Sequence, residues 1–268
     1  MPTRSCLSLL IVILLGVASL SAQSTSDRLQ VAPPQMRQSV PPAASASEAE
    51  LESQGDDFRY QKAYLDALDY YDAALAKSPG SSTVLNKRGI TNLQLQRYKE
   101  ARKDFEGSIK ADRQFADAYN NVAVVWYEMK KYGKAIKFYR KAIALRPEAA
   151  SYYSNLGAAY FSKKDFREAV LSYAKALEID PDVLERTSRA GITAQLPSPE
   201  DRARYDYELA KLYAKMGSSD RSLEHLRKAM EEGYKSIDNV YKDAEFASLR
   251  KDPRFNQLMT EKTVAIPQ

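Results

Sequence analysis

The sequence contains few of the residues on which covalent and metal chemistry depend. It has one cysteine, Cys6, and one histidine, His225, among 268 residues. Cys6 lies in an N-terminal segment that we expect to be removed, which leaves no thiol nucleophile and no disulfide. A catalytic triad or a histidine-containing metal site would have to use His225, which we interpret as a partly exposed structural residue.

Glycine-rich phosphate loops and nucleotide-binding fingerprints are also absent. The sequence therefore predicts a protein that is not an enzyme and that binds no metal and no cofactor. Acidic residues number 35, so a hydrolase that uses two carboxylates of the C-terminal region is kept as a minor alternative. The net charge is only +5, and nucleic acid is not expected as a partner of an exported protein with so small a charge.

Long apolar runs are missing except at the N-terminus, where Leu7 to Leu20 follows the positive charge of Arg4. This run is shorter than the ~20 residues that cross a bilayer. We therefore predict a signal peptide over residues 1–22 and an exported protein, periplasmic or secreted. The alternative is an uncleaved N-terminal anchor. Cys6 precedes the apolar run, which argues against a lipoprotein.

Residues 23–47 are rich in proline, serine and alanine and have few large apolar side chains. Such a segment buries too little surface to offset its ordering entropy, so we predict a flexible linker.

A repeat with a period of 34 residues follows the linker. Small residues recur at Gly89, Ala123 and Gly157, and prolines recur at Pro147 and Pro181. Each unit contains two helical patterns separated by a short polar break, which predicts antiparallel helix pairs. A helical glycine costs roughly 1 kcal/mol relative to alanine, so a recurring glycine indicates close packing. We expect it to face the small residue of the second helix, with an aromatic side chain beside that contact.

These units resemble tetratricopeptide repeats. In the fourth unit the marker positions of that family are well filled, by Tyr153, Leu156, Gly157, Tyr160, Ala169, Tyr173, Ala176 and Pro181. The second unit departs from the pattern at Asn92 and Arg113, and the first at Gln54. The resemblance implies an all-α fold, a right-handed α-solenoid of antiparallel helix pairs. The four predicted repeats are residues 48–81, 82–115, 116–149 and 150–183.

The spacing breaks after Pro181. We predict an insert over residues 184–200, a divergent fifth repeat-like unit with capping helices over 201–262, and a tail over 263–268. The last part resembles the closing segment of some bacterial repeat arrays. A solenoid needs such a cap because its final unit has no neighbour to cover its apolar face. The residues expected to provide this cover are Phe246, Leu249, Phe255 and Leu258.

The resemblance also places one set of first-helix positions on the concave side of the array. An asparagine side chain offers both a donor and an acceptor, and a ladder of them suits the backbone of an extended peptide. Tyr127 and Phe161 are expected to add apolar contact. The predicted groove residues are Asn86, Lys87, Asn120, Asn121, Tyr127, Glu128, Asn155 and Phe161. Asp117 and Ser151 stand where some relatives carry a carboxylate-binding lysine, so binding of C-terminal carboxylates is not predicted.

Basic side chains dominate residues 130–146, which contain no acid. Lys134, Lys137 and Lys141 share one helical face, predicted to be convex. The sequence thus predicts a scaffold of the cell envelope that binds a protein or peptide in its concave groove. The alternative is a structural protein that docks on a membrane surface or an acidic partner through this convex basic stripe.

Overall fold

The computed structural model describes residues 41–184 and 198–260. The predicted signal peptide, most of the predicted linker, most of the insert and the tail lie outside these ranges. Every regular element within them is helical. Eight helices form four antiparallel pairs: α1 (Glu48–Tyr60) with α2 (Tyr64–Lys77), α3 (Ser82–Gln94) with α4 (Tyr98–Ala111), α5 (Ala116–Glu128) with α6 (Tyr132–Leu145), and α7 (Ala150–Ser162) with α8 (Phe166–Ile179). The expected all-α array of helix pairs is confirmed.

The repeated glycine faces an aromatic ring of the second helix in its own pair. A Cβ atom added to Gly157 would lie 2.8 Å from a ring carbon of Tyr173. The same clash would arise for Gly55 against Tyr71, at 2.7 Å, and for Gly89 against Phe105, at 2.6 Å. The close packing predicted from glycine is therefore present. The group that leaves no room for a Cβ atom is the aromatic ring, and not the small residue of the second helix.

A left-handed residue ends each first helix. Gln96 has φ 57°, and its N–H donates to the carbonyl of Leu93 while the next N–H donates to that of Asn92. This pattern closes the last helical turn and turns the chain back toward the second helix. The equivalent residues at intervals of 34 are Lys62, Lys130 and Lys164.

Glycine at this turn should stabilise the protein. A left-handed conformation costs a residue with a Cβ atom roughly 1–2 kcal/mol, whereas glycine adopts it freely but loses more entropy on folding. We expect Gln96→Gly to raise the free energy of unfolding by about 0.5–1 kcal/mol in urea denaturation. The control is Lys103→Gly, at an exposed position inside α4, which should lower it by about 1 kcal/mol. Destabilisation by Gln96→Gly would mean that the glutamine side chain itself contributes to the turn.

The proline expected to end each second helix is not required for that end. α4 ends at Ala111 although Arg113 stands in place of the proline. α8 ends at the equivalent residue, Ile179, where the proline is present. Termination therefore depends on the turn as a whole.

Successive pairs stack through the second helix of one repeat and the first helix of the next. Small residues lie at this interface without solvent exposure, namely Ala74, Ser108, Ala142 and Ala176. The first helices of neighbouring repeats also contact each other, α1 with α3, α3 with α5 and α5 with α7. The second helices make no comparable contact with one another in the described part of the chain. The first helices therefore line the inner, concave face.

A fifth helix pair follows the insert: α9 (Pro199–Lys215) and α10 (Ser219–Glu231). α9 starts two residues before the predicted boundary because Ser198 caps it, accepting a hydrogen bond from the N–H of Asp201, and Pro199 is its first residue. Three short 3₁₀ segments and α11 (Pro253–Thr260) close the described chain. The four predicted covering residues are all buried there, in one cluster with Tyr207 and Leu226.

Candidate functional site

Four asparagine side chains form a hydrogen-bonded chain along the inner face. Asn155 on α7 donates from Nδ2 to Oδ1 of Asn120 on α5, at 3.0 Å. Asn120 donates to Asn121, at 3.1 Å, and Asn121 donates to Asn86 on α3, at 2.9 Å. This asparagine relay, Asn155–Asn120–Asn121–Asn86, joins three consecutive repeats. It brings together all four predicted asparagines, with Asn120 as the link between repeats.

The two central amides of the relay keep hydrogen-bonding capacity. Asn86 and Asn155 are buried, at 6% and 3% exposure, whereas Asn120 and Asn121 are half-exposed. An amide carries two N–H donors and two acceptor lone pairs. Within the described residues, Asn120 and Asn121 each use one donor and one lone pair. One N–H and one lone pair of each side chain therefore remain for solvent or a ligand, in an orientation that the relay fixes.

The positive charge of Lys87 is balanced by two carboxylates of the first repeat. Its Nζ lies 2.5 Å from Oε1 of Glu52 and 2.5 Å from Oδ2 of Asp56. Burial would raise the pKa of Asp56, but hydrogen bonds from Lys87 and Tyr71 outweigh it, and the pKa is lowered overall. Lys87 is thus held as the cation of a local ion-pair network, which makes it a poor site for a ligand carboxylate.

Tyr127 and Phe161 do not lie on the groove surface, contrary to prediction. They are 0% and 2% exposed. The hydroxyl of Tyr127 lies 2.9 Å from Oγ of Ser162, and the ring of Phe161 packs edge-on against Phe166 and Tyr205. Near the ends of α5 and α7, this helical face is covered by the next repeat, so both rings belong to the core.

Glu128, the last residue of α5, is half-buried. Burial raises the pKa of its carboxyl. Tyr98 and Tyr132, the first residues of α4 and α6, have phenol pKa values raised by burial and, secondarily, by the charge of Glu128. Neither tyrosine was predicted as a site residue. The sequence does contain a pattern that marks these two tyrosines. An aromatic residue begins the second helix of each of the four repeats, at Tyr64, Tyr98, Tyr132 and Phe166.

The predicted convex lysines, Lys134, Lys137 and Lys141, are all exposed. Nζ of Lys134 lies 4.2 Å from the ring centroid of Trp126, and Nζ of Lys141 lies 5.2 Å from that of Phe138. A cation over an aromatic face is stabilised by the ring quadrupole. Two of the three lysines therefore have a packing role that needs no partner.

The side chain of His225 is held by an aspartate and an aromatic ring. Its Nδ1 lies 2.7 Å from Oδ1 of Asp206, and its ring stacks on that of Tyr213 at 5.3 Å. Across residues 41–184 and 198–260, no three histidine, cysteine or acidic side chains come together in a way that would hold a metal ion. In the same residues, no helix has the length and apolarity needed to cross a membrane.

Stacked helix pairs with a concave face of first helices define an α-solenoid of the kind that serves as an interaction scaffold. Residues 53–114 and 114–182 each match a sequence profile described as tetratricopeptide repeat. The chain is therefore a tetratricopeptide repeat protein. A comparison with curated protein sequences found no significant match.

Solved structures of similar fold include MamA residues 41-end from Desulfovibrio magneticus RS-1, with 17% identity over 75% of this chain and 100% of that chain, at a TM-score of 0.50. A double mutant of MamA RS-1 has 18% identity over 71% and 96%, also at 0.50. YrrB, described as a TPR protein with an unusual peptide-binding site, has 18% identity over 75% and 98%, at 0.47. At these identities the likeness concerns the fold alone.

Proposed function

We propose that this protein binds an extended segment of a protein partner on its concave face, between the first helices of the second, third and fourth repeats. A tetratricopeptide repeat protein is in general a scaffold for protein interactions. The observation that carries the more specific proposal is the pair Asn120 and Asn121. Both are half-exposed, and the relay orients both.

Main-chain amides of an extended segment match the chemistry of this pair. A peptide group presents one N–H and one C=O, and each of the two asparagines has one N–H and one lone pair that no described residue takes up. Because the relay fixes the amides before binding, little side-chain entropy is lost when the ligand arrives. The relay thus supports recognition of backbone more than of any one side-chain sequence.

The proposed setting is the cell envelope, and the proposed role is non-catalytic. The proposal of export is supported by the positive charge and the apolar run within residues 1–22. The repeat architecture supports a binding role. The contacts of His225 with Asp206 and Tyr213 support a structural rather than a catalytic role for this histidine.

The test uses a peptide selected from a random twelve-residue library displayed on phage, with the full chain immobilised. We expect the variant Asn121→Ala combined with Asn155→Ala to weaken binding of the selected peptide by roughly 5- to 150-fold. Asn121→Ala removes one N–H and one lone pair, and two such hydrogen bonds contribute about 1–3 kcal/mol in total. Asn155→Ala removes the donor that orients Asn120. Fluorescence polarisation measures the affinity. Circular dichroism shows that the variant is folded at the assay temperature, since the substitution also interrupts the relay.

The matched control is Lys134→Ala combined with Lys137→Ala on the convex face, which should leave the affinity unchanged. Loss of binding in this control, with binding retained in the asparagine variant, would transfer the function to the convex basic stripe. Failure of the full chain to select any peptide that depends on the asparagines would overturn the groove proposal.

A further inference from the structure

Glu128 is a carboxylate without a cation. Its side chain forms no hydrogen bond and no ion pair with any residue that the structure describes. The neighbouring Lys130 and Lys131 form no ion pair with it. By contrast, other half-exposed carboxylates on first helices are paired, Asp56 on α1 with Lys87 and Asp117 on α5 with Arg146. Glu128 therefore differs from the other acids on this face.

The position of Glu128 disfavours its charge in two ways. Burial raises the pKa of the carboxyl, which means that the charged form is the one penalised. The side chain also belongs to the last residue of α5, where the partial negative charge of the helix end repels an anion. A residue that destabilises the free protein without a structural partner is more often retained for function than for folding.

Two phenol groups interact electrostatically with this carboxylate. Tyr98 and Tyr132 occupy the same position in consecutive repeats, and the pKa of each is raised first by burial and then by the charge of Glu128. The ring of Tyr132 packs against that of Tyr127, with centroids 5.4 Å apart, which holds it in place. Aromatic faces attract cations and the carboxylate does so more strongly. The surroundings therefore suit an ammonium or guanidinium group and repel an anion.

Glu128 lies on the same side of α5 as the asparagine pair. It follows Asn121 by seven residues, which is two helical turns, or about 11 Å along the helix. About three residues of an extended peptide cover that distance. A segment held by Asn120 and Asn121 can thus place one of its own side chains beside Glu128.

We propose that Glu128, the half-buried carboxylate two helical turns beyond Asn121 on α5, receives a lysine or arginine side chain of the segment bound on the concave face. The partner is accordingly a basic peptide segment, although the protein itself carries a net positive charge. This inference rests on the proposed function and adds the chemistry of the ligand to it.

The first experiment compares phage selections on the full wild-type chain and on the full chain carrying Glu128→Gln. We expect the wild type to enrich lysine and arginine at a fixed position, and the variant to lose that enrichment. The control is Glu148→Gln, an exposed acid in the turn before α7, which should select as the wild type does. Equal enrichment in wild type and Glu128→Gln would overturn the inference.

The second experiment uses one selected peptide and its analogue with norleucine in place of the basic residue. We expect the analogue to bind the wild type about tenfold or more weakly, as for loss of a hydrogen bond to a charged group. With Glu128→Gln the two peptides should bind equally. If peptides depend on Asn121 and Asn155 but not on their basic residue, the groove function stands and this inference fails. If no peptide depends on the asparagines, both fail.

A stability measurement separates this role from a structural one. The folded pKa of Glu128 lies above its ordinary value of 4.5, so the native state binds the proton more readily than the unfolded state. The stability that the protonated Glu128 carboxyl contributes is therefore complete below pH 4.5, and it is lost as the pH rises through the folded pKa. Glu128→Gln should raise the urea midpoint at pH 7, and the difference should shrink as the pH is lowered toward 4. A lower midpoint at pH 7 would show that Glu128 supports the fold, and would overturn the assignment.

Discussion

Replacing Asp104 by alanine should lower the free energy of unfolding by about 3 kcal/mol, the lower end of the range for breaking a buried ion pair. The side chain of Asp104 is only 5% exposed. It accepts hydrogen bonds from Arg88, at 3.1 and 2.5 Å, and from Asn92, at 3.0 Å. Its loss leaves a buried amide and a partly buried guanidinium without their acceptor. The lower end applies because Arg88 keeps a second partner, Asp72 at 2.6 Å. Urea denaturation followed by circular dichroism measures the effect.

The control for this prediction replaces the whole polar group with the residues of the fourth repeat. The equivalent positions there are Leu156, Tyr160 and Ser172. We expect the triple variant Arg88→Leu, Asn92→Tyr and Asp104→Ser to recover most of the loss, because it removes the ion pair as a whole and leaves no buried charge without its partner. A loss as large as that of Asp104→Ala alone would mean that the polar group is needed for this repeat to pack at all.

Replacing Phe246 by alanine should lower the free energy of unfolding by about 3–5 kcal/mol, the usual cost of removing a buried aromatic side chain. Phe246 has no solvent exposure and lies in the cluster that covers α9 and α10, with its ring 5.6 Å from that of Tyr207. The final helix pair of a solenoid has no neighbour beyond it, so its apolar face depends on this cover. We also expect the variant to self-associate on size-exclusion chromatography.

The matched control for Phe246 is Tyr60→Ala at the other end of the array. Tyr60 is 90% exposed, and a surface substitution of this kind usually changes stability by less than about 0.5 kcal/mol. A change of only that size in Phe246→Ala would show that the closing segment adds little to the stability of the array.

Departures from the repeat pattern were visible in the sequence, but their meaning was not. Asn92 is one such departure, and it proves to be the hydrogen-bond donor to a buried aspartate. The partner, Asp104, lies on the other helix of the same pair. A single sequence shows that both positions are polar. The contact between Asn92 and Asp104 depends on the distance between the two helices, which a single sequence does not show.

The groove residues show the same difference between what the sequence indicates and what the packing of helices decides. The four asparagines lie near one another because equivalent positions in stacked repeats are neighbours. The role of Asn120 as the link between Asn121 and Asn155 was not expected, and neither was the burial of Tyr127 and Phe161. Whether an inner-face side chain reaches solvent depends on how closely the next repeat packs over it.

The sequence by itself determined the all-α class, the 34-residue unit and the positions of glycine and alanine at helix contacts. These features arise from local periodicity and from steric limits that recur four times, so each repeat supports the others. Only the tertiary structure decided which polar groups pair. Lys87 meets Glu52 and Asp56, and Glu128 meets no cation among the described residues. The reason is physical: these partners belong to different repeats, and the distance between them is set by the stacking and curvature of the array.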